Sequence, residues 1–143
     1  MLRSVLATSL WDMPIHPALV HFPIAFLFTA SVLIVVRHAT DRVVLERYIA
    51  PLLVTGVITL PVVMVAGLRD AGWLDLFRNA DAGQPLIWHA LVSICTAASA
   101  ASHLAVRVRG EGKPARILDL SLAATTAWLL MATGLLAGEM VYS

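Results

Sequence analysis

The sequence predicts an all-α integral membrane protein, a four-helix up-and-down bundle with both termini on the outer side. Three observations carry this reading. First, 59% of the 143 residues are hydrophobic and 13% charged, whereas soluble globular chains carry about 25% charged residues; the mean hydropathy is +0.85. Second, the charge is absent in blocks: 24 residues between Asp12 and Arg37, 21 from Tyr48 to Leu68, 25 between Asp81 and Arg107, and 19 between Asp119 and Glu139. A hydrocarbon core about 30 Å thick needs about 20 apolar residues in a helix, so each block crosses once. Third, the basic residues alternate between the connections, as the topology of a polytopic protein requires.

The first span covers about 17–36, the second 48–68, the third 86–106 and the fourth 118–142, and together they make one transmembrane domain of residues 1–143. None of the four alternates polar and apolar residues as a barrel strand does, so the backbone satisfies its own hydrogen bonds as helix. The first span opens in a proline-rich stretch with Pro17 and Pro23. The second carries Pro61 at its middle, which predicts a kink. The third holds Ser93, Ala97 and Ala101 at four-residue spacing, and the fourth holds Gly134 and Gly138, both of which allow close helix approach in lipid. Connections of about 11, 17 and 11 residues join antiparallel neighbours.

Orientation follows from Arg37, Arg42 and Arg47 in the first connection and Arg107, Arg109, Lys113 and Arg116 in the third, against Arg3, Arg69 and Arg78 on the other side. The richer side faces the cytoplasm. Trp11, Trp73, Trp88 and Tyr142 then form an outer aromatic belt. The expected location is a bacterial inner membrane, multi-pass, with no cleaved signal peptide. A net charge of +1 leaves no basic face for nucleic acid. The single Cys95 excludes an intrachain disulfide and a Cys-x-x-Cys-His haem attachment. No Ser-His-Asp spacing, phosphate loop or His-Glu-x-x-His motif is present, so the chain is not expected to be an independent enzyme.

Ionisable groups are costly in a membrane and are placed by depth. His16 and His21 open the first helix, Asp70 ends the second, His89 opens the third and Glu139 ends the fourth, so five groups share the outer layer. In a square bundle with about 9.5 Å sides the first and third helices are diagonal, about 13 Å apart, and His21 and His89 can reach one central iron. The expected ligands are therefore His21 and His89 for haem b. The alternative is a transition metal held by His16, His21, His89 and the carboxylates of Asp70 and Glu139. His16 and His21 stand about 140° apart on an ideal helix, so sharing an ion requires an irregular helix start. Each residue also has an ordinary role: His16 ends an extended lead-in, Asp70 is solvated beside Arg69, Glu139 pairs with Arg69 or Arg3, and the imidazoles bond backbone carbonyls. His38 and His103, beside Arg37 and Arg107, read as interfacial.

The segment Ile15-His16-Pro17-Ala18-Leu19-Val20-His21-Phe22-Pro23-Ile24-Ala25 resembles the opening signature of a bacterial four-helix membrane family, domain of unknown function 2231. Gly67-Leu68-Arg69-Asp70, Trp88-His89-Ala90 and Gly138-Glu139-Met140-Val141-Tyr142 resemble its later landmarks in the same order. Family members often continue past the Tyr with a further His and Gly, where this sequence has Ser143. The resemblance covers nearly the whole chain, and because the domain sometimes occurs beside cytochrome c modules it implies a redox-linked membrane setting. The functional expectation is a haem- or metal-binding electron-transfer subunit contacting lipid, other membrane subunits and a cytochrome c-type carrier. The rival is a cofactor-free accessory subunit that docks on partner helices through its small-residue faces.

Overall fold

The computed structural model describes residues 14–72, 84–109 and 116–142. The chain starts with a single helical turn, α1 (His16–Leu19), which passes through a turn at Val20 into α2 (His21–Thr40). A 3-10 turn at Val43–Leu45 leads into α3 (Glu46–Ala71), followed by α4 (Gln84–Arg109) and α5 (Arg116–Tyr142). Four stretches are long and apolar enough to cross a membrane: His16–Thr40, Val43–Ala71, Leu86–Arg109 and Arg116–Glu139. Trp11 and Trp73 of the expected aromatic belt, Arg3, Arg78 and Lys113, and the side chain of Tyr142 lie outside the described residues, while Trp88 is exposed.

Local chemistry fixes the ends and bends. Asp41, with φ 53°, stops α2 in the left-handed region, where Asp is among the tolerated residues. Pro51 and Pro61 both sit inside α3, yet the helix runs unbroken. Membrane helices tolerate proline inside a packed bundle, and Ser and Thr hydroxyls in such helices bond back to carbonyls of the preceding turn. Here Thr55 Oγ1 donates to the carbonyl of Pro51, and Thr59 Oγ1 lies 2.9 Å from the carbonyls of both Thr55 and Gly56.

The helices pack in chain order around a square, α2 against α3, α3 against α4, α4 against α5 and α5 back against α2, while α1 folds onto α3. The core is a narrow apolar column of Leu27, Ala30 and Ile34 from α2, Ile49, Leu53 and Leu60 from α3, Ala100 from α4, and Ala123 and Leu130 from α5. Gly56 lets α2 and α3 approach closely: a Cβ there would stand 2.5 Å from Leu27 Cδ2. The outer surface is apolar as well, with Ile58, Val62, Val65, Ile94, Trp128, Met131 and Leu135 exposed. In water such a surface would aggregate; in a bilayer it faces acyl chains.

Candidate functional site

At the end of the bundle where α1, the C-terminus of α3 and the N-terminus of α4 meet, two imidazoles face each other across a short gap. His16 leads α1 immediately before Pro17. Its backbone N–H donates to Asp70 Oδ2 at 2.8 Å, so the carboxylate at the end of α3 anchors the chain where it enters the bundle. Its ring Nδ1 donates to the Val63 carbonyl at 2.9 Å. Gly67, one turn further along α3, leaves room for the ring: a Cβ on Gly67 would come within 2.9 Å of His16 Nδ1. His89, near the start of α4, donates from Nδ1 to the Thr133 carbonyl of α5 at 3.2 Å.

Carbonyl oxygens only accept, so both rings carry their proton on Nδ1 and each presents Nε2 as a lone-pair donor. Metal-binding histidines are held in this way, with the second ring nitrogen bonded to a carbonyl or carboxylate. The ring centroids are 6.2 Å apart and the planes cross at 87°. An ion about 2.0 to 2.1 Å from each Nε2 stands about 3.2 Å from each centroid. Two ligating rings therefore have centroids separated by about 5 Å when the ligand angle is tetrahedral and about 6.3 Å when the ligands are opposed. The observed separation of 6.2 Å falls in that range.

His21, the expected partner of His89, does not approach it in the structure. His21 is exposed on the outer side of α2. The chain does turn irregularly at Val20, but the five-residue offset still rotates His21 away from the inward position that His16 occupies. His16 therefore meets His89 along an edge of the square, and the diagonal approach expected for His21 is not used. Glu139 is exposed near the end of α5, and Asp70 is engaged by the His16 backbone and by Arg69, whose Nη1 is 3.6 Å from Asp70 Oδ1. Among the described residues no three His, Cys, Asp or Glu side chains stand close enough to hold a metal ion together.

The opposite, Arg-rich end contains an ionic network that joins all four long helices. Asp119 of α5 is 1% exposed and His103 of α4 is 0% exposed. His38 of α2 is also buried, so both histidines, expected at the interface by depth, are enclosed in the bundle at that end. Asp119 accepts from His38 Nε2 at 2.9 Å, from His103 Nε2 at 2.8 Å, and from Arg107 through both Nε and Nη2. Arg107 Nη1 donates to Glu46 of α3 at 3.0 Å, Glu46 also pairs with Arg37 Nε at 2.6 Å, and Arg37 Nη1 donates to His38 Nδ1 at 2.9 Å. Two guanidiniums thus face two carboxylates, which meets the requirement that buried charges be paired and hydrogen-bonded. The sequence signal for this network was the helical period: His38 continues the buried face of Leu27, Ser31 and Ile34, and His103 that of Thr96 and Ala100.

A family model described as a predicted membrane protein (DUF2231) matches residues 12–143. The chain belongs to the DUF2231 family. No curated protein and no solved structure matches it. In this DUF2231 protein the landmarks distant in sequence converge in space. His16 of the opening segment, Gly67 and Asp70 of the Gly-Leu-Arg-Asp segment, and His89 of the Trp-His-Ala segment build the paired-imidazole end. Glu139 of the last segment, by contrast, stands exposed. Arg37, His38, Glu46, His103, Arg107 and Asp119 of the DUF2231 chain belong to none of the four segments, although they form the most extensive polar assembly among the described residues.

Proposed function

We propose that this multi-pass membrane protein holds a transition metal or a haem b iron between His16 and His89 and serves as an electron-transfer subunit of a larger membrane complex. The observation that carries the reading is the pair of Nδ1-anchored imidazoles with centroids 6.2 Å apart, set in a membrane-spanning bundle. The bound metal would supply one-electron chemistry. The protein's part is to hold it: Val63 and Thr133 carbonyls fix the two tautomers, Gly67 makes space for one ring, and Asp70 fixes the chain entry that carries it. Positive-inside bias puts the Arg-rich end in the cytoplasm and the paired imidazoles outward in a bacterial inner membrane, within reach of a cytochrome c-type carrier.

A second reading is supported by α5. Among the described residues a Cβ at Gly134 or Gly138 would meet nothing within 4 Å, so this Gly-x-x-x-Gly face suits the docking of a cofactor-free accessory subunit on a partner helix. Visible absorption and metal analysis of protein purified from its native membrane decide between the two. The metal reading expects haem or stoichiometric metal in the wild type and in His21→Ala, and its loss in His16→Ala and His89→Ala with the spans still inserted. A fully assembled wild type containing neither haem nor metal refutes it and leaves the docking reading.

A further inference from the structure

Between α2 and α5 the packing leaves a groove of about 210 Å³ that opens on its outer side. Val32, Val35 and Val36 of α2 line it against Ala123, Ala124 and Ala127 of α5. Small side chains on one helix face branched ones on the other, so the two do not close over this stretch. Ser31, the one polar side chain in the lining, donates to the Leu27 carbonyl at 2.9 Å and brings no free hydroxyl proton to the groove. Toward the Arg-rich end the two helices are tied together by His38 Nε2 and Asp119 Oδ2, 2.9 Å apart. Ala123 and Ala127 lie about 10 and 16 Å along α5 from Arg116, and Val36 and Val32 about 6 and 12 Å along α2 from Thr40. Half of a hydrocarbon core is about 15 Å deep, so the groove stands at the depth of the acyl chains of the leaflet at that end. A void there forfeits dispersion contacts, and in a bilayer it is filled.

Charge selects what fills it. The buried network at this end consumes Arg37 and Arg107 against Glu46 and Asp119. Arg42, Arg109 and Arg116 are exposed and have no acidic partner among the described residues; Arg47, also exposed, stacks on Tyr48. Asp41 is the only exposed carboxylate among the described residues of this end, so the rim carries an unbalanced positive charge. Arg116 stands seven residues before Ala123. That spacing is close to two full turns, so Arg116 lies on the same stripe of α5 as the groove lining and directly toward the headgroup layer. Basic residues beside membrane helices hold anionic lipid headgroups. One turn of a helix with its side chains fills about 400 to 600 Å³, so the space suits a slender chain better than a helix. We infer that the α2–α5 groove is a binding site for an anionic phospholipid, with one acyl chain between the valines and alanines and the phosphate at Arg116. The inference does not depend on metal at the imidazole pair.

The test is native mass spectrometry of the purified full chain in neutral detergent, titrated with dioleoyl phosphatidylglycerol and, separately, with dioleoyl phosphatidylcholine, which has the same chains and no net charge. Wild type is expected to retain one equivalent of phosphatidylglycerol at least about fivefold more tightly than phosphatidylcholine, the effect of a single basic group at the headgroup. Arg116→Gln should bring the two lipids to within about twofold of each other. Ala124→Leu, at an exposed position of α5, puts a side chain where the acyl chain lies and is expected to weaken the phosphatidylglycerol equivalent about tenfold. Ala127→Val fills the same groove with a smaller group and should act in the same direction, so the test survives if the leucine variant does not fold. Val62→Leu, on the exposed face of α3, should leave binding unchanged. Equal affinity of wild type for the two lipids overturns the inference. So does unchanged phosphatidylglycerol binding in the folded groove-filling variants, including the case in which they instead dissolve a dimer and so show the groove to be an interface between copies.

Discussion

Replacing Asp119 by Asn tests the ionic network through a change of one atom and one charge. The carboxylate accepts four hydrogen bonds, two of them from Arg107. An amide in the same place accepts on one oxygen and directs N–H groups at the other donors. His38 cannot relieve the clash by changing tautomer, because its Nδ1 already accepts from Arg37. Charge balance fails as well: Arg37 and Arg107 would then face Glu46 alone. Breaking a buried pair by removing one partner costs about 3 to 5 kcal/mol, and the 2% and 9% side-chain exposure of Asp119 and Arg107 leaves little solvent to soften it. The expected result is a loss of that size in unfolding free energy, measured by titrating bicelle- or micelle-embedded protein with denaturing detergent and following helicity and a bundle-specific probe. Removing both partners, Asp119→Asn with Arg107→Gln, should recover part of the loss, because Arg37 and Glu46 still pair. An Asp119→Asn protein within about 1 kcal/mol of wild type would refute the claim that this network is desolvated and charge-balanced.

If His16 and His89 hold a metal as proposed, Gly67→Ala should weaken its retention without unfolding the bundle, because the new Cβ would stand 2.9 Å from His16 Nδ1 and the ring that bonds the Val63 carbonyl must shift. Disturbing such a supporting contact lowers affinity by about 10- to 100-fold, readable by competition with a chelator. Cysteine labelling in intact cells should place positions in the 37–47 connection inside and positions in the 69–85 connection outside, as the basic bias requires.

The four spans were legible because lipid imposes a linear rule: enough uncharged residues in a row to cross. Depth was legible for the same reason, and it correctly put His16, Asp70 and His89 in one layer. Azimuth was harder, since it depends on how each helix is rotated against its neighbours, and His21 shares the depth of His16 while pointing outward. The information was partly present in the about 140° offset between the two histidines. At the other end, proximity to Arg37 and Arg107 suggested an interfacial position for His38 and His103. Their register with buried residues one and two turns away pointed inward, and packing followed the register. Asp119 marked the edge of a charge-free block, and nothing in its linear surroundings indicated that it would become the acceptor for three side chains, one from α2 and two from its own hairpin partner α4.

The network also bears on how the protein is made. Span by span, the membrane first receives Arg37 and His38, then Glu46, then His103 and Arg107, so three inserted helices hold two guanidiniums against a single carboxylate. Only α5 brings Asp119. Arrival of the last helix is therefore an electrostatic latch: a partly synthesised bundle presents an uncompensated arginine to its surroundings, and the finished one does not.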